Sequence, residues 1–377
     1  MVYRQVIVLI KRSILLLLVL EMCCSIAVFA DAAPVVSAAS AVLYDPLSET
    51  VLYEKNGDQK RGMASTTKIM TAIVALEQYD LSEQVTIQPE WCGIEGSSIY
   101  LKPGEQMLVS DLLYGLLLAS GNDAAVALAG LHQEGESGFL AAMNQKAAEL
   151  GLLNTHFENP SGLDGETHYT TALELAKLAS YAMKIPVFAE IVGTKSQTVA
   201  GRTLSNHNRL LREIGACGVK TGYTKACGRC LVSAKEQHGR MLICVTLNAP
   251  NDWADHTALY AYGFSHYNPY EILGAGDCGS CQLVSSEKDR SRLYCNESFS
   301  FWLTEAEKQN LKTILCGPRF CYGTVCAGTP YGSIQVRLGH TILFETPVYF
   351  ADHSREIEPE NGRFKRWMNF IIRRREP

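Results

Sequence analysis

Ser65 and Lys68 stand three residues apart in the stretch Ala64, Ser65, Thr66, Thr67, Lys68, which runs straight into the apolar segment Ile69 to Leu76. Residues three apart on a helix share a face, so a hydroxyl lies within reach of an amine. A serine hydroxyl is a weak nucleophile that needs a neighbouring base, and a lysine kept neutral can be that base. The pair alone proves little, because serine before an apolar run is also a preferred helix cap. Average residue usage gives on the order of one or two chance copies of Ser/x/x/Lys in a chain this long, and Ser285 with Lys288 repeats the spacing in a polar stretch.

Two later fragments change its weight. Ser120, Gly121, Asn122 and Asp123 interrupt two apolar segments: a helix over Leu112 to Leu118, capped by Ser110 and Asp111, and an alanine-rich helix from Ala124 to Ala129. Polar side chains at the break of a buried helix must be paired or functional. The third fragment is Lys220, Thr221, Gly222, followed by strand patterns at Cys230 to Ala234 and Leu242 to Leu247 that are joined by a turn at Glu236 to Arg240. The triplet therefore sits on or beside a sheet edge. A given triplet arises by chance in about one chain in ten of this size; three fragments in this order, each in a suitable context, is a far more specific pattern.

The elements that must position these groups read as follows. Ala41 to Tyr44 and Val51 to Tyr53, joined at Asp45 and Pro46, form a β-hairpin leading to the Ser65 helix. Tyr79 to Glu105 is loop-rich, punctuated by Gly93, Gly96, Pro103 and Gly104. Residues 139–153 and Thr171 to Met183 are helical, flanking a Gly/Pro/Asn loop at Asn159 to Tyr169. The polar run Asn206, His207, Asn208, Arg209 precedes Leu210 and Leu211, and a helix from Asp252 to Tyr262 closes the domain against the sheet. After Tyr267 strand patterns take over, clearest in Ile334, Val336, Leu338 and in Ile342, Phe344 around Gly339, which predicts a small β module of about 90 residues.

The 377 residues are 47% apolar and 19% charged, a folded chain longer than one average domain. Its net charge of −5 argues against a general nucleic-acid binder. Residues 1–30 carry Arg4, Lys11 and Arg12 before the apolar run Ile14 to Leu20, then small residues to Ala30. That is the pattern of a secretory signal, with an uncleaved membrane anchor as the alternative; either way the remainder is exported. Residues 357–377 form a basic tail in which Phe364, Trp367, Met368 and Ile371 share one helical face among six Lys and Arg residues. Such a helix suits an anionic membrane surface, the alternative being a disordered basic tail. The expected organisation is thus signal 1–30, catalytic domain 31–267, β domain 268–356 and tail 357–377. Of thirteen cysteines, eleven follow the signal. An exported protein is expected to form disulfides, an odd count leaves a thiol over, and pairing is not deducible. Cys278 and Cys281 form a C-x-x-C pair, but the later spacings of Cys295, Cys316, Cys321 and Cys326 match no zinc site.

On these motifs the chain resembles the low-molecular-mass penicillin-binding proteins, the serine D-alanyl-D-alanine carboxypeptidases, from about Ala38 to the β module. The matching text is Ala64 to Thr71 (ASTTKIMT), Ser120 to Ala125 (SGNDAA), Asn159 to Asp164 (NPSGLD) and Val219 to Thr224 (VKTGYT). The resemblance implies an α/β fold: a β-lactamase/transpeptidase-like α/β/α domain of antiparallel sheet with a helical subdomain, then a small C-terminal β domain and a terminal amphipathic anchor. It implies peptidoglycan stem peptides as substrates and covalent capture of β-lactams, with no metal and no cofactor.

The site residues follow on the same basis. Ser65 is expected to be the acyl-forming nucleophile, Lys68 its base, and Ser120 the relay to the leaving nitrogen. A lysine's reference pKa of about 10.4 opposes a neutral Lys68; burial and a second cation, Lys220, would depress it. Asn122 would orient Lys68 and bind the substrate amide. Lys220 and Thr221 would hold the terminal carboxylate, and Gly222 would leave room for the peptide to lie along the edge as an added strand. By resemblance, the backbone N–H groups of Ser65 and Tyr223 form the oxyanion hole. Glu174, where the family often has an aspartate, is expected to support the Asn159 loop or Lys220, or else to be a surface carboxylate. Arg209 is expected to add to carboxylate binding, and His168 and His207 to be structural. A class A β-lactamase would need a Glu/x/x/Leu/Asn element between Ser120 and Lys220, and none is found. A silent wall-binding protein would have lost the triad.

Overall fold

The structure, a computed structural model, describes residues 33–357. The signal segment and the basic tail from Arg363 lie outside the described residues. In chain order the elements are β1 Ser40–Asp45, β2 Thr50–Lys55, a 3-10 turn Ala64–Thr67, α1 Lys68–Gln78, β3 Gln84–Thr86, β4 Gln106–Leu108, α2 Val109–Leu118, α3 Asn122–Gly130, α4 Gly135–Glu149, α5 Ala172–Met183, α6 Pro186–Gly193, β5 Ser196–Val199, β6 Arg202–Ser205, α7 Leu210–Glu213, β7 Gly218–Thr224, β8 Gly228–Gln237, β9 Arg240–Leu247 and α8 Asp252–Ser265. The remainder comprises β10 Asn268–Leu273, β11 Gly276–Val284, β12 Arg290–Cys295, β13 Phe299–Leu303, α9 Glu305–Asn310, β14 Leu311–Cys316, β15 Phe320–Tyr322, β16 Pro330–Leu338 and β17 Thr341–Phe350.

Strands β2, β1, β9, β8 and β7 form one antiparallel sheet in that order, with β7 at an edge. The period-2 alternation of strand side chains divides its residues between two cores. Ala41, Leu43, Leu242 and Cys244 face a layer formed by α8, through Leu259 and Tyr260. Val42, Ile243, Val245, Val232 and Ala234 face the helical side, where α1, α2, α3 and α5 supply the largest apolar cluster. This is the antiparallel α/β/α arrangement with a helical subdomain.

Two hairpins escaped the sequence pattern. β3 pairs with β4 inside the loop-rich stretch, and β5 pairs with β6 around Ala200 and Gly201. Both are short and mostly exposed, so neither carries the apolar alternation that reveals a strand. The fourth helix starts and stops four residues before its expected bounds. α2 begins at Val109, one residue before the expected cap, and no side chain caps it. The helix expected from Thr171 is present as α5, and Thr171 itself caps it, its hydroxyl accepting from Glu174 N at 3.1 Å.

Beyond α8 the chain is mainly strand. β14, β16, β17, β12, β11 and β15 form a six-stranded sheet in that order over a core of Leu293, Ile334, Val348 and Phe350, beside the β10–β13 pair. A buried polar knot joins this module to the catalytic sheet. Arg240 on β9 is fully buried and donates to Asp45 of β1 and, at 2.6 Å, to Glu307 of α9, while Tyr267 donates to Asp45 at 2.6 Å. The guanidinium lies 4.7 Å from the Tyr267 ring centre and 5.6 Å from that of Phe301.

Candidate active site

Ser65 does not cap a helix. It sits in the 3-10 turn directly before α1, with no side-chain cap, and Ala64 before it adopts φ +48°. That left-handed backbone is unfavourable for alanine and must be held by its surroundings. The holding group is the Asn159 loop. Asn159 Oδ1 accepts from the backbone N–H of Ser161, Gly162 and Leu163 at 3.2, 2.7 and 3.1 Å, curling the loop into a rigid turn. Gly162, at φ +88°, lies so close beneath the turn that a Cβ would collide with the Ala64 carbonyl. Thr71 on α1 donates to Pro160 O at 2.6 Å, tying helix to loop. Thr67 donates to Ala64 O at 2.8 Å and meets His168 Nε2 at 2.7 Å. His168 Nδ1 accepts from Glu158 N at 3.0 Å, which places the ring proton on Nε2. Burial pushes the imidazole down to about 4, so it is neutral.

Lys68, the first residue of α1, is fully buried, and its Nζ lies 3.1 Å from Ser65 Oγ, 2.6 Å from Asn122 Oδ1 and 2.5 Å from the Ser161 carbonyl. Burial, then the Lys220 charge, hold its pKa well below the usual lysine value, with Asp123 acting the other way. The three contacts match the three N–H donors of an ammonium, and they also accommodate the neutral form that the lowered pKa favours. A neutral amine has two N–H groups and one lone pair. Two neighbours, an amide oxygen and a backbone carbonyl, can only accept, so in the neutral form they take the two N–H groups and the lone pair is left for Ser65 Oγ, to which the charged form donates. Asn122 is fixed in turn by donating from Nδ2 to Glu95 O at 2.5 Å.

The break between α2 and α3 brings in the second fragment. Ser120 takes φ +60°, and its Oγ accepts from Lys220 Nζ at 3.0 Å. Asp123, paired rather than catalytic, accepts from the backbone N–H of Ile99 and Leu101 at 3.1 Å and from Ser98 Oγ at 2.6 Å, which clamps the strand-poor loop over the site. Lys220, on the edge strand β7, is also fully buried, donates to its neighbour's carbonyl Thr221 O at 2.9 Å, and is pushed down to about 7 by burial. Gly222 faces the nucleophile's turn: a Cβ there would lie 3.0 Å from Ser65 N and 3.1 Å from Thr66 N. Thr224 donates to Asp164 Oδ1 at 2.7 Å, fastening β7 to the Asn159 loop.

Two adjoining cavities open on Ser65. One, of about 300 Å³, is bounded by Ser120, Thr221, Gly222 and Tyr223, and beyond them by Arg229 and Trp253. The other, of about 390 Å³, is bounded by Asn122, Ser161, Gly162 and Thr224. The cleft therefore runs along β7 on both sides of the hydroxyl, with room for a chain extending each way.

The structure places the supporting residues less as the sequence suggested. Glu174 stays at the base of the loop, far from any contact with Lys220. Its carboxylate accepts from Asn154 N at 2.9 and 3.0 Å and from Thr155 Oγ1 at 2.6 Å, so it anchors the segment leading into the Asn159 loop. Arg209 is not among the residues lining the cleft; it is more than half exposed, pairs with Glu213 at 2.5 Å and lies 5.6 Å from the Trp253 ring centre. The guanidinium on the cleft wall is Arg229 of β8, paired with the buried Asp252 at 2.9 Å. Nothing in the motif text flagged it, because its position depends on the register Tyr223 opposite Arg229. His207, an exposed residue, lines the same wall, its pKa lowered by partial desolvation and by Lys220.

A buried lysine against a serine at the start of a helix, a second serine at a helix break and a lysine on a facing edge strand define a serine acyl-transfer enzyme of the penicillin-binding type. Residues 27–251 match the family model described as D-alanyl-D-alanine carboxypeptidase, Peptidase S11, and the chain belongs to this family of serine hydrolases. It is 32% identical to the D-alanyl-D-alanine carboxypeptidase DacF of Bacillus subtilis over 333 residues, 82% of this chain and 84% of that protein. The fold matches penicillin-binding protein 5 of Haemophilus influenzae with a TM-score of 0.62 at 25% identity, over 86% of this chain and 99% of that one. It matches the Streptomyces K15 DD-transpeptidase with a TM-score of 0.59 at 36% identity, over 62% of this chain and 98% of that one.

Proposed function

We propose that the protein removes the terminal D-alanine from peptidoglycan stem pentapeptides through an acyl-enzyme on Ser65, and that penicillins are trapped at the same atom. The observation that carries this reading is the buried Lys68 amine, 3.1 Å from Ser65 Oγ and held by two groups that can only accept, so that once neutral it turns its lone pair to the Ser65 hydroxyl. The stem peptide lies along β7 as an added strand, which the closeness of Gly222 to the Ser65 turn permits. Lys68 takes the Ser65 proton as Oγ bonds to the penultimate D-Ala carbonyl carbon. The oxyanion forms beside the N–H groups of Ser65 and Tyr223. The C–N bond then breaks, and Ser120, in contact with Lys220, passes a proton to the departing amine. Lys220 supplies positive charge beneath the terminal carboxylate, with the Thr221 hydroxyl at the cleft surface. Water then attacks the ester carbonyl, its oxygen staying with the released acid as the acyl C–O bond to Ser65 breaks, and one of its protons restores the Ser65 hydroxyl.

The purified protein is expected to release D-alanine from diacetyl-Lys-D-Ala-D-Ala and to take up fluorescent penicillin in a long-lived adduct, both abolished in Ser65→Ala. No release by the wild type would sink the reading, and rapid penicillin turnover would favour a β-lactamase. The signal at residues 1–30 and the tail at 357–377 support an extracytoplasmic enzyme held at an anionic membrane surface. Loss of sedimentation with anionic vesicles on deleting residues 358–377 tests the tail.

A further inference from the structure

Eleven cysteines fall among the described residues, six of them in the β module. Two of those six meet across neighbouring strands: Cys281 Sγ of β11 lies 3.7 Å from Cys321 Sγ of β15. The strands pair in parallel, Leu283 opposite Cys321, and Cys281 is two residues from Leu283, so both thiols project from the same face of the sheet. Cys281 is buried in the module core and Cys321 packs against that core.

We propose that Cys281 and Cys321 are a disulfide site, closed by thiol–disulfide exchange. A disulfide bond is about 2.05 Å long, so closure needs side-chain rotation and a small approach of β15. That strand has the freedom to supply it, being a three-residue edge strand with one hydrogen-bonded neighbour. In the reaction one cysteine thiolate attacks a disulfide of the glutathione type, releasing one thiol and leaving a mixed disulfide. The second cysteine, as thiolate, attacks the protein sulfur and expels the other thiol. The two cysteines lose two electrons and two protons, and the donor disulfide becomes two thiols.

The bridge ties down what the backbone holds weakly. β15 carries exposed Phe320 and Tyr322 at the margin of the sheet, the kind of open apolar edge that invites pairing with another chain. Burial, reinforced by contact with Cys321, pushes the Cys281 thiol up to about 11. Exchange is therefore slow once the sheet has assembled, and the bridge forms as β15 docks.

The test reduces and unfolds the purified full chain, refolds it in oxidised glutathione so that exchange accompanies docking of β15, then unfolds it again, alkylates the free thiols and counts them by intact mass, scoring a glutathione adduct as a freed thiol. Cys281→Ser and Cys321→Ser should each show one thiol more than the wild type, and the double variant the same number as the wild type. One fewer in each single variant and two fewer in the double overturns the proposal. If a serine variant fails to fold, judged by fluorescent-penicillin labelling of Ser65, peptide mapping of the wild type decides. Peptides of β11 and β15 joined through Cys281 and Cys321 and parted by reductant support the site. A link from either to Cys278, Cys295 or Cys326, or no link, overturns it.

Discussion

Replacing Asn122 by aspartate tests the central claim about Lys68 without changing side-chain volume. In the wild type a neutral amide oxygen sits 2.6 Å from Lys68 Nζ, in a site only 4% exposed at Asn122. A carboxylate in that place stabilises the ammonium. An opposite charge within this range raises a lysine's pKa by about 1–3 units, or about 1.4 kcal/mol for each unit. Only neutral Lys68 can take the Ser65 proton, so the acid limb of the acylation profile should move up by the same amount. On that limb the rate falls about tenfold per unit; above it, the two enzymes should converge. The assay is the second-order rate of labelling by fluorescent penicillin across pH, with Asn122→Ala as the control. The alanine variant loses an acceptor but adds no charge, so it should lower the rate without the upward displacement. An aspartate variant whose limb stays in place, or moves down, would refute the account of Lys68 as a neutral base.

Gly222→Val should leave the fold intact and cut acylation by on the order of 100-fold, because even a Cβ stands 3.0 Å from Ser65 N; wild-type labelling rates would disprove the close approach. Arg240→Met strands Asp45 and Glu307 in the buried knot, and removing one partner of such a network costs about 3–5 kcal/mol. Denaturant or thermal melts should show that loss, and adding Asp45→Asn and Glu307→Gln should recover part of it; unchanged melting would count against the knot's role. His168, at about 4 in the fold against 6.5 unfolded, is buried neutral. The unfolded chain binds its proton first as pH falls, so stability is full above about 6.5 and declines toward about 4, by about 3 kcal/mol. His168→Asn should flatten that window in melts at graded pH, and an unaltered slope would contradict it.

The contrast between Ser65 with Lys68 and Ser285 with Lys288 shows how far residue spacing carries. Both pairs have the same separation, but Ser285 lies in the connection after β11 with φ +56°, where no helical face brings it to a lysine. Apolar periodicity after Lys68 marked the real helix, and the same reading found the buried break at Ser120 and the strand edge at Lys220, since each is written in local pattern. Hydropathy alternation likewise marked the central strands and missed β3 to β6, which bury too little to show it.

The sequence alone marked Ser65 and Lys68 as the candidate reacting pair, because a hydroxyl and an amine three residues apart meet once the turn and helix there form. It also determined the order of the three motifs and the change to a β module. Tertiary structure decided what those atoms can do. The lowered pKa of Lys68 comes from burial and from the charge of Lys220 on β7, and its amine is held by the carbonyl of Ser161, 93 residues away. The left-handed turn at Ala64 is held by the Asn159 loop, and strand register put Arg229 on the cleft wall while Arg209 pairs with Glu213. Burial and charge act through space, and a local pattern carries no record of which distant group will supply them.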